Sequence, residues 1–499
     1  MTADAPRPLV EELERHAAER PGDVCLTTPG AELRLRDLVA AAHGVAARLR
    51  ADGVRRGDRV ALVARNGADL VTAYFGTHAA GAVAVPLGPD AGADGLAAAL
   101  QLAHPALVLA DAETPDVGAR RADLGAYVAA GRDAGASGGS DARPDEPADL
   151  LFTTGTSGTP KGVLLTHRNI AAAARNINAF VGAGPDDVEV CPLPLGHSFG
   201  LGRLRCMARV GHRLVVDPGM RNPAQVWQRL ATLRATGLAL VPAGLALLRR
   251  VLGARLADLA SHVRYVEIGS APLAAPERDW LLEHLPHTRL CHHYGLTEAS
   301  RAAFRELRAD AATPDAVGRA SPGVEIRVAS DDGTCAPHGT PGEIEVRGDV
   351  VMLGYFERDD LTRAAFHDGW LRTGDLGTLD AAGNVRLLGR KGDVVNVGGL
   401  KVSPESVESA LREHPQVRDA GCVGAPDPRG VLGEHVRAFL VCDADVAADE
   451  LTAWLRGRLA EHQVPREYVR VAELPRTASG KLRRQVLRDA PPPALGALR

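Results

Sequence analysis

Short apolar runs alternate with stretches of helical period along most of this chain. In "GADLVTAYFGTHAAGAVAVPL", Gly67 to Leu87, apolar residues recur at helical spacing and then give way to the continuous run "AVAVPL". The same order recurs in "LATLRATGLALVPA", Leu230 to Ala243, and in "SHVRYVEIGSAPL", Ser261 to Leu273, each ending in a turn of small residues. A helix followed by a fully apolar strand predicts parallel sheets covered by helices, with ligands gathering at the carboxyl ends of the strands. The segment Gly131 to Asp149, rich in Gly, Asp and Ser, predicts an exposed loop. From about Pro404 the units shorten: a helix, strands near "VRDAGCVGA" and "HVRAFLVC", and a second helix near "ADELTAWLRGRLAEH". Ser403 as cap, Pro404 at the first helical position and Glu405 in the first turn mark the start of that small α+β domain. No internal repeat is evident.

Length and composition narrow the class. At 499 residues, more than one domain is expected. Charged residues interrupt every apolar run before it reaches spanning length, so no membrane span is predicted. The first residues, "MTADAPRPLVEELERHAAERPGD", turn acidic and helical without a secretory core, which predicts a cytoplasmic protein. Seven scattered cysteines with no C-x-x-C pair argue against a disulfide scaffold or structural zinc and read as buried thiols. A net charge of −4 and 4% aromatic residues give no general attraction to nucleic acid and few stacking platforms. Basic helix ends such as "KLRRQVLR" leave a salt-dependent nucleic-acid binder as the competing class.

The candidate chemistry begins at "LFTTGTSGTPKGVLLTH", Leu151 to His167. Thr153, Thr154, Thr156 and Ser157 offer hydroxyls to phosphate oxygens, Gly155 and Gly158 let backbone amides approach, and Lys161 adds mobile positive charge. Pro160 before the lysine and Gly162 after it do not fit the common P-loop template. A polar surface turn is the plain alternative. In "HHYGLTEAS", Tyr294 offers a ring to a purine, Thr297 a hydroxyl to phosphate and Glu298 a hard oxygen to Mg²⁺; a core tyrosine followed by a capped helix is equally compatible. In "GWLRTGDLG", Asp375 suits the vicinal hydroxyls of a ribose, although turn aspartates usually bond their own backbone. Arg390 in "LLGRKGD" is a second ribose or phosphate contact or a surface arginine. In "LPRTASGKLRR", Lys481 follows a small flexible run.

Together with "PLPLGHSFG", "GSAPL", "GEIEVRG" with "GY", and "GRKGDVVNVGGLKVSPESVE", these pieces in this order resemble the adenylate-forming superfamily. That superfamily includes acyl-CoA synthetases, aryl-acid ligases, luciferases and adenylation domains. The resemblance spans nearly the whole chain. It implies an α/β fold with a large N-terminal domain, residues 1–390, of helix-covered sheets plus a β-barrel-like subdomain, and a small mobile α+β C-terminal domain, residues 391–499. It implies activation of a small-molecule carboxylic acid by ATP and Mg²⁺, then transfer to a thiol. Lys481 would bridge the carboxylate and α-phosphate, Glu298 would hold Mg²⁺, and Thr297 and His197 would complete the catalytic set. Gly269, Ser270, Ala271, His293, Tyr294, Gly295, Asp375, Arg390 and Asn396 would join the hydroxyl loop around the nucleotide. Gly398 and Gly399 would line a pantetheine tunnel.

Two positions depart from the family pattern. The hinge, two positions after Arg390, is Gly392 rather than Asp or Lys, and Asn396 stands where many members carry lysine. The resemblance assigns the acid pocket to His197, Phe199, Arg203, Gly269 and Gly295. Ser198 and Phe199 replace the aspartate that pairs with an α-ammonium in amino-acid-activating relatives, which disfavours a free α-amino acid. Arg203 replaces a small residue: inward it would pair a second carboxylate or a polar substituent, outward it would snorkel. The expected acceptor is coenzyme A, with the phosphopantetheine of an acyl or peptidyl carrier protein as the alternative, and a non-catalytic nucleotide scaffold as the remaining one.

Overall fold

The computed structural model describes residues 7–111, 119–133, 139–154, 160–217, 219–220, 222–330, 332–398, 400–428, 433–476 and 482–497. The chain divides into two compact units, residues 1–326 with 346–371, and residues 327–345 with 372–499.

The first unit is built on two large, mainly parallel sheets. In the nine-stranded sheet, Val24–Thr28, Arg213–Val216, Val188–Cys191, Gly237–Leu240, Tyr265–Ile268 and Arg289–Leu296 run parallel in that spatial order. Antiparallel Ala299–Glu306 continues it beyond Arg289–Leu296. In the seven-stranded sheet, Pro147–Thr154, Val83–Leu87, Arg59–Val63, Leu107–Ala110 and Arg121–Asp123 are parallel neighbours. Antiparallel Pro160–Thr166 and Gly354–Tyr355 close the other side. Parallel strands covered on both faces must be apolar throughout, and Val60 to Val63 are wholly buried. The expected order within Gly67 to Leu87 is present as the helix Ala68–Ala79 and the strand Val83–Leu87.

The second unit contains a four-stranded sheet ordered Val417–Pro426, Glu434–Cys442, Glu467–Val471, Ala494–Ala497. Its side chains alternate as a strand period of two requires. Cys422, Ala438 and Leu440 join Val407 and Leu411 of the helix Pro404–Arg412, whereas Val423, Phe439 and Val441 pack with Leu487. The Ser403 hydroxyl accepts from the Ser406 amide at 3.3 Å, so the expected cap is made.

Three expectations change. The helix Leu124–Asp133 runs into the segment read as loop, and the strand Pro147–Thr154 begins before that segment ends, because its apolar residues find cover. The helix near Ala448 stops at Arg456, where Gly457 withdraws helical propensity, and a short 3-10 turn follows at Glu461–Gln463. Cys335 is exposed in a polar loop, whereas the other six cysteines are buried. No helix among the described residues is long and apolar enough to cross a membrane.

Candidate active site

The strands that flank the hydroxyl-rich motif pair with each other. Pro147–Thr154 pairs antiparallel with Pro160–Thr166 in a register that sets Thr153 opposite Lys161 and Thr154 opposite Pro160. Gly155, Thr156, Ser157 and Gly158 lie outside the described residues, as do Gly399 and Lys481, and the side chain of Thr154 is not described. Gly354–Tyr355 pairs on the outer edge of that hairpin, with Tyr355 opposite Val163. The Lys161 ammonium therefore lies 5.4 Å from the centre of the Tyr355 ring, within cation–π range.

The same tyrosine reaches the candidate metal ligand. Leu296 and Ala299 are opposed in the ladder of Arg289–Leu296 with Ala299–Glu306, which makes Thr297 and Glu298 a two-residue hairpin turn at a sheet margin. The Tyr355 hydroxyl donates to Glu298 Oε1 at 3.0 Å, and the Met352 amide donates to the Glu298 carbonyl at 2.8 Å. Lys161, Tyr355 and Glu298 are thus one group, drawn from three segments. A carboxylate supplies hard oxygen donors of the kind a cation such as Mg²⁺ takes. The described residues contain no group of three or more side chains able to hold a metal. Such a donor set fits Mg²⁺ carried by phosphate and water, with one or two carboxylates from protein.

The acid-pocket candidates form a second group. His197 caps the helix Ser198–Val210, and its carbonyl accepts from Leu201 at 3.0 Å. Phe199 meets the ring of His293 edge-on, with centroids 4.8 Å apart. Gly269 ends the strand Tyr265–Ile268 against the same ring: a Cβ there would lie 2.1 Å from His293 Nε2, so only glycine fits. Ser270 follows with φ +71°, a left-handed backbone that costs a serine energy and is kept at this turn. Ala271 is exposed, and its carbonyl is 3.4 Å from His292 Nε2. Tyr294 is buried opposite Ala303, and Gly295 is exposed.

Arg203 points inward and is 0% exposed, but its donors are committed. Nε bonds Glu189 Oε1 at 2.6 Å, Nη2 bonds the other Glu189 oxygen, and Nη1 bonds Glu267 Oε2 at 2.7 Å. Tyr265 donates to Glu189 at 2.7 Å, and His293 Nδ1 lies 2.8 Å from Glu267 Oε1. Arg301, which the sequence reading did not single out, joins the same carboxylate from Nε at 3.3 Å. Burial pushes the Glu267 carboxyl upward, but Arg203, then Arg301 and His293, more than reverse this and hold it well below the ordinary range. Burial lowers His293 despite Glu267 beside it, and takes His292 down to about 4. A signal for this cluster was present: "VEVC" and "YVEI" each carry a glutamate inside a strand that should be apolar throughout.

In the second unit Asp375 and Arg390 face each other across a strand pair and form an ion pair at 2.7 Å. Arg390 Nη1 also donates to the Thr373 carbonyl at 3.0 Å. Asn396 belongs to the small ladder Val395–Val397 with Leu400–Val402, and its amide donates to Glu434 at 2.9 Å, while Gly398 follows that strand in a turn with φ +61°. The run containing Lys481 is bracketed by a bridge between Arg476 and Leu482, and Arg484 bonds both oxygens of buried Glu408 at 2.9 and 2.8 Å.

Lys161 and Glu298, joined through Tyr355 on a scaffold of parallel sheets, suit the resemblance to an acid-activating, adenylate-forming ligase. Comparison with known proteins agrees. The chain belongs to the AMP-binding enzyme family: the family model matches residues 13–356, and the model of the AMP-binding enzyme C-terminal domain matches residues 406–481. A sulfoacetate–CoA ligase of Cupriavidus necator is 38% identical over 346 residues, 68% of this chain and 67% of that protein. Two solved structures cover 97% of this chain and 98% of their own. Bacillus subtilis o-succinylbenzoate CoA synthetase with its acyl-adenylate intermediate has TM-score 0.87 at 28% identity. ATP-bound MatB from Rhodopseudomonas palustris has TM-score 0.89 at 30% identity. The chain is an AMP-forming acid–thiol ligase.

Proposed function

We propose that this ligase condenses a small carboxylic acid with ATP to an acyl-adenylate, releasing pyrophosphate, and then passes the acyl group to coenzyme A. The observation that supports the reading is the Lys161–Tyr355–Glu298 group, which joins the strand assigned to phosphate to the carboxylate assigned to Mg²⁺. A carboxylate is a weak nucleophile facing a polyanion, so catalysis must align it with the α-phosphorus and neutralise the charge that develops as pyrophosphate leaves. Lys161 offsets charge on the departing phosphates, and Glu298 would hold Mg²⁺, which would supply Lewis-acid neutralisation when bound. Lys481 is assigned to the carboxylate and α-phosphate, Asp375 with Arg390 to the ribose, and Tyr294 to the base. Thr297 is assigned to phosphate and His197 to the acid's entrance.

We further propose two working domains, 1–390 and 391–499, hinged at Gly392. A Cβ at Gly392 would meet nothing within 4 Å, so free space supports rotation there. Gly392→Pro is expected to retain pyrophosphate exchange and lose most thioester formation; equal loss of both would refute the hinge.

The acid-driven exchange of pyrophosphate into ATP tests the main reading. Lys481→Ala and Glu298→Gln should each lower it by at least about 100-fold, the scale of removing one preorganised transition-state contact. Wild-type protein that exchanges no pyrophosphate with any acid of a broad library would leave the scaffold reading instead. Thioester formation with coenzyme A, compared with a phosphopantetheinylated carrier protein, decides the acceptor.

A further inference from the structure

We infer that the acid activated at this site is short, because its pocket ends on a buried wall of ion pairs instead of an apolar channel. The inference rests on the adenylation reading above and deepens it. Phe199 and Gly269, which the resemblance assigns to the acid pocket, both pack against the ring of His293, and Arg301 stands behind Phe199. The Arg301 guanidinium lies 4.9 Å from the Phe199 ring and donates to the Ser198 and Phe199 carbonyls at 3.3 and 3.2 Å. It fills the space over Gly202, where a Cβ would come within 2.5 Å of Nη1. A Cβ on Gly295 would lie 2.4 Å from the Arg301 amide.

The side chains of this layer are buried. Arg203, Glu189 and Glu267 are 0% exposed, and Tyr265 is 1% exposed. The two arginines and two glutamates compensate each other, so the wall is electrically closed as well as solid. A long alkyl chain would have to pass between Arg203, Glu267 and Arg301, separating ions that have no water to replace their partners. A short acid stops before the Phe199–His293 pair and leaves every ionic contact in place. Arg301 is therefore a specificity-determining residue: it sets the depth of the pocket without touching the reacting carboxylate.

The test is acid-dependent pyrophosphate exchange with acetate, propionate, malonate, succinate, octanoate and dodecanoate. Wild-type enzyme should activate octanoate and dodecanoate at least about 100-fold less efficiently than the best short acid. Arg301→Ala opens the space beneath Gly202 and Phe199 and should raise octanoate relative to that short acid by about tenfold or more. Phe199→Ala, which breaks no ion pair, should move the ratio in the same direction and keeps the test decisive where loss of Arg301 impairs folding. Octanoate used within about threefold of the best short acid, or an unchanged ratio in both folded variants, would overturn the inference. Exchange with no acid at all would instead remove the adenylation reading, and the chain-length inference with it.

Discussion

Tyr355 joins two segments of the proposed site through two contacts. Its hydroxyl engages one oxygen of Glu298 and its ring receives the Lys161 ammonium, so the turn proposed for the metal and the strand pair proposed for phosphate share one anchor. Tyr355→Phe keeps the ring and removes only the hydrogen bond. A hydrogen bond to a charged group contributes about 1.5 kcal/mol, roughly tenfold in an equilibrium. The apparent affinity for Mg²⁺ in exchange, and for Mn²⁺ followed by electron paramagnetic resonance with ATP present, should weaken several-fold. Identical Mn²⁺ titrations for both proteins would detach Tyr355 from the metal site. The residue belongs to a legible motif, but its partner stands 57 positions away, and no local pattern joins them.

Among elements, the buried ion pairs decide what each helix and strand is held against. Arg203 reaches from its helix to two strands, and Arg484 ties the short helix Arg484–Asp489 to Glu408 on the helix Pro404–Arg412. Burial raises the Glu408 carboxyl, and Arg484 beside it opposes that rise. Arg484→Ala leaves this carboxylate buried without its cation. The second unit should lose about 3 kcal/mol, seen as a lower denaturant midpoint, and Arg484→Ala with Glu408→Leu should recover part of it. No recovery in the double variant would show that the two side chains act independently. The strands containing Glu189 and Glu267 show how far sequence carries: a charge inside an apolar run signals a buried partner. Which partner depends on register, and Arg203 lies 14 and 64 positions from the two glutamates.

Across the whole molecule, buried histidines set the acid limit of stability. Burial holds His167 down to about 3, and His212 and His292 down to about 4, against an ordinary value of 6.5. All three stay neutral in the fold and ionise in the unfolded chain below about pH 6.5. Their stabilising contribution is therefore complete above that pH and declines as pH falls toward 4. With three protons taken up on unfolding, the slope is on the order of 4 kcal/mol per pH unit in the middle of that window. Thermal midpoints measured from pH 7.5 to 4.5 should fall steadily below 6.5. A flat profile down to pH 5 would mean that these rings are hydrated in the native state.

Contiguous residues by themselves determined the helix-and-strand alternation, the cap at Ser403 and the motifs of an acid-activating ligase, because backbone period and short-range chemistry are written within a few positions. The tertiary structure alone decided that Tyr355 engages Glu298, that Arg203 is consumed by two carboxylates, and that Arg301 closes the wall behind Phe199. Each of these unites residues from separate elements, and its energy comes from burial and mutual distance, quantities that exist only once the sheets are assembled.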